Sequence, residues 1–347
     1  MNRSESPTVR RPTPTPWNPA GAASLAVHAL ASLKLTLWVL LMLAAGVLLA
    51  YRSETHTTWA LVLPLALFAV NLAAAVATNA VFRRQSALLM FHLALIAIVL
   101  LVAAGRLSYL KGHVELTDGA WFDGTLTQYE SGPWHVQRLA SVAFANLGFD
   151  IAYAPGLKRG KTVNAVAYRD AEGVEHRAQI GDNVPLVLAG YRFYTSFNKG
   201  FAPLFVWNPA RGGAPQRGSV HLPAYPRNEY RQALEWTPPG SATPVWTMLQ
   251  FDEVLLDAAE HSQFRLPSEH RVVMRIGEVR RELQPGQSID LPGGVLVYEG
   301  LAAWMGYTVF HDWTIPWLLA ACLTAVACLA WHFWSKYARL PWRAGDA

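Results

Sequence analysis

Four long stretches of the chain are apolar almost throughout and carry no charge: residues 35–50, 59–82, 87–104 and 315–334. Each approaches the length an α-helix needs to cross a hydrocarbon core about 30 Å thick at about 1.5 Å per residue. Helices buried inside a soluble protein rarely run so far without charge. The chain is therefore predicted to be an α-helical membrane protein with four transmembrane helices, for which the lipid bilayer is the solvent. A content of 52% apolar residues agrees with that class.

The cationic residues orient these helices. Arg3, Arg10, Arg11 and Lys34 precede the first run, Arg83 and Arg84 lie between the second and third, and Lys336, Arg339 and Arg343 follow the fourth. The positive-inside rule then places both termini in the cytoplasm and residues 107–312 outside. That outer segment holds 18 basic and 21 acidic residues against 11 and 3 in the remainder. The net charge of +5 thus reflects membrane orientation and gives no reason to expect a nucleic-acid partner. The expected division is a disordered cytoplasmic tail over 1–30, helices one to three over 31–106 and an extracytoplasmic domain over 107–312. Helix four follows over 313–335, then a second cytoplasmic tail over 336–347. The first helix is expected to serve as an uncleaved anchor.

The outer segment reads as a large all-β, sandwich-like domain. Residues 163–168, 184–194, 204–207, 272–276 and 295–299 alternate or are rich in β-branched and aromatic residues. Turn chemistry separates them: Ala154-Pro-Gly, Asp170-Ala-Glu-Gly, Gly212-Gly, Pro285-Gly and Asp290-Leu-Pro-Gly-Gly. A short helix is expected near residues 250–259, and another within 132–147. Both cysteines, Cys322 and Cys328, fall in the fourth apolar run, so the outer domain has neither disulfide nor thiolate metal site. It shows no nucleophile elbow, phosphate loop or His-Glu-x-x-His, and no catalytic residue is assigned. Its histidines, His113, His135, His176, His221, His261, His270 and His311, are spaced as surface or hydrogen-bonded residues. His311, next to the fourth helix, is the best placed of them.

His92 differs from all of these. It lies inside the third apolar run, in Phe91-His-Leu-Ala-Leu-Ile-Ala-Ile, where an ionisable side chain is expensive to bury. Two readings fit. A ring nitrogen can bind haem iron axially, with Leu88, Leu89, Leu95 and Ile96 against a porphyrin face and Arg83 and Arg84 near its propionates. Alternatively, the imidazole hydrogen-bonds to a neighbouring helix. His332 lies at a similar depth in the fourth helix, where snorkelling to the interface accounts for it. In the second helix, Asn71 and the small-residue face Ala69, Ala73 and Ala77 point to close helix packing and to no chemistry.

Several of these stretches, taken in order, resemble the ResB (CcsB) family, the membrane subunit of System II cytochrome c biogenesis. Leu30-Ala-Ser-Leu-Lys-Leu-Thr-Leu is similar to the family's approach to its first helix. Asn71-Leu with Arg83-Arg84 resembles the end of its second, and His92 its third-helix histidine. Asn183-Val-Pro-Leu-Val-Leu-Ala-Gly-Tyr-Arg-Phe-Tyr-Thr-Ser is similar to its most distinctive outer stretch, and Gly300-Leu with residues 306–317 to its return to the membrane. The resemblance implies a haem-handling subunit acting with a CcsA-type partner to deliver haem b to extracytoplasmic apocytochrome c. The subunit would be non-catalytic or co-catalytic within a haem lyase complex, with His92 sharing the haem iron with a partner histidine. The competing reading is a membrane-anchored scaffold whose β domain docks a secreted partner without haem.

Overall fold

The computed structural model describes residues 19–52, 57–170, 172–239 and 241–338, which divide into two compact units. The outer parts of both expected tails, residues 1–18 and 339–347, lie outside the described residues.

The first unit is helical. Four helices are long and apolar enough to cross a membrane: α2 (Leu33–Arg52), α3 (Thr58–Thr78), α5 (Ser86–Ser108) and α6 (Ile315–Tyr337). The chain is a membrane protein. Its second apolar run is shorter than the sequence suggests, because Asn79 adopts an extended conformation and ends α3. The Asn79 side chain then accepts the Val81 N–H at 3.0 Å and starts α4 (Ala80–Arg84), so Arg83 and Arg84 sit on a short helix instead of a turn.

Residues 19–30 correct the expectation of a disordered tail, since they form helix α1 (Pro19–Leu30). Proline is well suited to the first helical position, and alanine and leucine make up most of the remaining residues. Buried Asn71 holds the end of this helix. Its Nδ2 donates to the carbonyls of Leu30 (2.6 Å) and Ser32 (3.3 Å), while its Oδ1 accepts from Thr36 Oγ1 at 2.8 Å. One amide on α3 thereby satisfies a carbonyl at the end of α1 and a hydroxyl on α2. Asn71→Leu is expected to cost about 1 kcal/mol and to speed hydrogen exchange at the α1–α2 junction. Unchanged exchange there would show that α1 is held by other contacts.

The helix packing also departs from the predicted face. Ala69 is buried with Val62 and Leu65 against Val99, Ala103 and Leu107 of α5, but Ala73 and Ala77 are exposed. The close approach between α2 and α3 occurs at Gly46, where a Cβ would overlap the Ala60 carbonyl.

The second unit, residues 108–313, is built of antiparallel sheets, in agreement with the predicted class. The largest has seven strands. Its path runs β2 (Gln128–Ser131), β1 (Leu110–Thr117), β15 (Gly294–His311), β7 (Tyr191–Pro209) and β6 (Leu186–Leu188), with β14 (Ser288–Leu291) on β15 and β8 (Gln216–Ser219) on β7. A second sheet orders β11 (Ser262–Gln263), β3 (Phe144–Ala154), β4 (Lys158–Arg169) and β5 (Glu175–Gly181). The third orders β13 (Val279–Leu283), β12 (Arg271–Ile276), β10 (Val245–Gln250) and β9 (Ala233–Trp236). Phe144 of β3 meets Phe193 of β7 at 4.8 Å and Tyr307 of β15 at 5.5 Å, joining the first two sheets through one aromatic core. Phe205 on Trp236, at 5.3 Å, joins the third.

Three local expectations fail for identifiable reasons. Residues 184–194 form a hairpin and not one strand, because Ala189 and Gly190 both take positive φ, as a two-residue turn requires. Residues 250–259 form no helix: Leu255 and Leu256 are both buried while Glu253 turns to Arg265 and Ser268. Within 132–147 only a single 3-10 turn, Leu139–Ser141, precedes β3.

A polar network lies inside the aromatic core. Asn164 Nδ2 donates to Asn146 Oδ1 and to the Gly148 carbonyl, both at 2.8 Å, and its Oδ1 accepts from Tyr307 Oη at 2.8 Å. Asn146 Nδ2 donates onward to the Leu116 carbonyl and to Asp118. Asn146 and Asn164 are both fully buried, and the nitrogen and oxygen of each side-chain amide are hydrogen-bonded.

Candidate functional site

The site begins on α5. A histidine in a helix can turn its ring back over the preceding turn, and His92 does so: its Nδ1 lies 2.8 Å from the Leu88 carbonyl. A carbonyl only accepts, so Nδ1 carries the proton and Nε2 keeps its lone pair. The half-buried ring packs against Phe82 at 4.5 Å and Phe91 at 5.2 Å. In its neutral form this imidazole has its tautomer fixed by the Leu88 bond, with Nε2 as the nitrogen able to donate to a metal.

The other residues predicted with it are not gathered around it. No hydrogen bond or ring contact joins His92 to Arg83 or Arg84. Arg83 is exposed on α4. Arg84 lines a cavity of about 470 Å3 with Gln85, Ser86, Trp331, His332 and Lys336. His332, read from sequence as a snorkelling residue, therefore shares a cavity with Arg84.

The β domain holds two histidine clusters that sequence reading missed. His135 donates from Nδ1 to the Ser108 carbonyl at 2.9 Å and accepts at Nε2 from Tyr191 Oη at 2.9 Å. The His311 ring lies 5.1 Å from that of His135 and 4.9 Å from that of Tyr191. Desolvation, then the neighbouring His135, holds the His311 imidazole below its usual range. In the second cluster His221 bonds Glu115 through Nδ1 at 3.1 Å and Thr117 through Nε2 at 2.9 Å, and stacks on Trp304. Both nitrogens of His135 and of His221 are committed to protein partners, which suits orientation and not ligation. Buried Lys199, beside the Arg159–Asp182 ion pair, is lowered to about 8, chiefly by desolvation. Among the described residues no group of three or more His, Cys, Asp or Glu side chains is arranged to hold a metal ion.

No curated protein matches the chain significantly. Among solved structures it is similar to a Cytochrome c Heme Lyase CcmF at 11% identity and a TM-score of 0.27, over 91% of this chain and 39% of that one. The chain thus spans about two fifths of that neighbour's length, and a superposition so loose assigns neither fold nor activity. The family model described as the ResB-like family matches residues 71–226, a span that includes Asn71, both arginines, His92 and the strands from β1 to β8. Through that stretch, a little under half of the chain, the protein is similar to the ResB-like family.

Proposed function

We propose that the protein is a haem-handling membrane subunit of cytochrome c biogenesis, acting with a CcsA-type partner to deliver haem b to apocytochrome c. The match to the ResB-like family over residues 71–226 supports the process, and one observation supports the site: the His92 Nδ1–H is spent on the Leu88 carbonyl, which leaves Nε2 free to donate. Haem, when bound, supplies the iron that takes that lone pair. The chain's own part is to hold the imidazole neutral and fixed in rotation, against the Phe82 and Phe91 rings in a non-aqueous setting. Of the two arginines, Arg83 is the proposed propionate contact, since Arg84 is turned to the cavity shared with α6. The subunit holds haem for a reaction completed with its partner, and no catalytic residue is assigned to it. The decisive test is to purify the chain with its CcsA-type partner and record the haem spectrum. A six-coordinate, two-histidine signature is expected, and a haem-free complex would leave the scaffold reading in its place.

The proposed orientation, in the bacterial inner membrane, has both termini cytoplasmic and the β domain outside. Compartment reporters fused after Arg84 and after Gly200 should then read opposite sides, because the two positions are separated by the whole of α5. The same compartment for both would overturn the orientation.

A further inference from the structure

The cavity between the start of α5 and the end of α6 carries cations with no counter-charge among the described residues. Arg84 and Lys336 line it, with the imidazole of His332 and the hydroxyls of Ser86 and Ser335 as further polar groups. Among the described residues no carboxylate lines it, and the first turn of α5 contains no acidic residue. Neither Arg84 nor Lys336 forms an ion pair among the described residues, whereas Arg159, Arg217, Arg265, Arg271 and Arg280 of the β domain each do. The N–H groups in the first turn of α5, beginning at Ser86, have no carbonyl ahead of them in the helix, which adds partial positive charge to the same wall. Trp331 closes one side. Indoles of this kind favour the headgroup level of a bilayer, where one face is apolar and the N–H is wet.

We propose that this cavity binds the phosphodiester headgroup of an anionic phospholipid. The volume of about 470 Å3 exceeds what a lone phosphate fills. The cavity also lies at the ends of two membrane-spanning helices, so a bound phosphate sits where lipid headgroups lie and its acyl chains run along α6. That helix has a single buried residue, Ala325, leaving nearly its whole apolar surface for lipid. Arg84 and Lys336 compensate the phosphate charge, and the hydroxyls and first-turn N–H groups donate to its oxygens. The inference is independent of the haem reading, because it uses neither His92 nor Arg83.

The test uses the full chain in a neutral detergent, titrated with phosphatidylglycerol or with phosphatidylcholine of the same acyl composition. Phosphatidylglycerol should bind about twenty-five-fold more tightly, the product of two cations each worth about fivefold beside an anionic headgroup. The preference should shrink in high salt. Arg84→Gln with Lys336→Gln should abolish it, whereas Arg84→Lys with Lys336→Arg should keep it, as should Arg52→Gln at the far end of α2. Equal affinity for the two lipids, or an undiminished preference in the charge-removing variant, would overturn the assignment. So would displacement by inorganic phosphate as effective as by phosphatidylglycerol, since the site would then take a free anion and not a lipid.

Discussion

Replacing His92 by alanine is expected to lower the haem that co-purifies with the complex by about ten- to a hundredfold, with cytochrome c maturation falling in parallel. The cause is specific to the tautomer. With Nδ1 bonded to the Leu88 carbonyl, the lone pair that would hold iron is on Nε2, and alanine supplies no substitute. Membrane insertion should be unaffected, because the change makes α5 more apolar. Exogenous imidazole should restore part of the haem by filling the vacated position. His332→Ala should have a smaller effect, since that ring lines the cavity by Arg84 and not the Phe82–Phe91 site. If haem content and maturation survive His92→Ala intact, the ligand role is wrong and the Leu88 bond is only the cheapest way to bury an imidazole.

The second large effect is expected at Asn164. Substitution by leucine removes both amide groups from a fully buried position and leaves the Tyr307 hydroxyl and the Gly148 carbonyl without partners. Two stranded groups at about 1–3 kcal/mol each predict a loss of about 2–6 kcal/mol in the stability of the β domain. The readout is the denaturant midpoint of the domain's tryptophan fluorescence in the full chain. Tyr307→Phe should cost less, because it strands only one acceptor. The double variant should cost less than the sum of the two, as expected for partners in one network. Val163→Thr, on the exposed neighbouring position of β4, should stay within about 0.5 kcal/mol. If Asn164→Leu behaved like Val163→Thr, the network would be redundant with the aromatic packing around it.

Which of these features the sequence could reveal depends on how local their causes are. The four long helices were legible because a bilayer demands about twenty apolar residues in unbroken succession, a purely local pattern. His92 stood out for the same reason, as one polar ring in an apolar run. Hairpin turns such as Asp170-Ala-Glu-Gly are legible from their glycine or proline, whereas the Ala189-Gly190 turn is hidden between two β-rich stretches. By contrast, Asn71 looked like a mere packing residue because its partners Leu30, Ser32 and Thr36 lie 35 to 41 positions away. The Asn164–Tyr307 bond and the His135–His311 pair join residues still further apart in sequence, and nothing local marks them. Strand β15 was read only over 295–299. Its remainder, Gly300-Leu-Ala-Ala-Trp-Met-Gly, is small and unalternating because it is covered on both faces, as a central strand is. The cavity by Arg84 needed the fold itself, since α5 and α6 are separated in sequence by the whole β domain.

The order β1–β15–β7 has a consequence for biosynthesis. The strand at the middle of the largest sheet is the last one made, and it bonds to β1 from Leu110 to Thr117 and to β7 from Arg192 to Pro209. While the ribosome is still extending the chain toward residue 311, these two strands have each finished one edge and have nothing to pair with on the other. Exposed edges of that kind recruit other chains. A stalled or truncated product ending before Gly294 therefore lacks the piece that closes the sheet, however complete its other strands are. Quality control over this protein reduces to whether one 18-residue segment arrives in time.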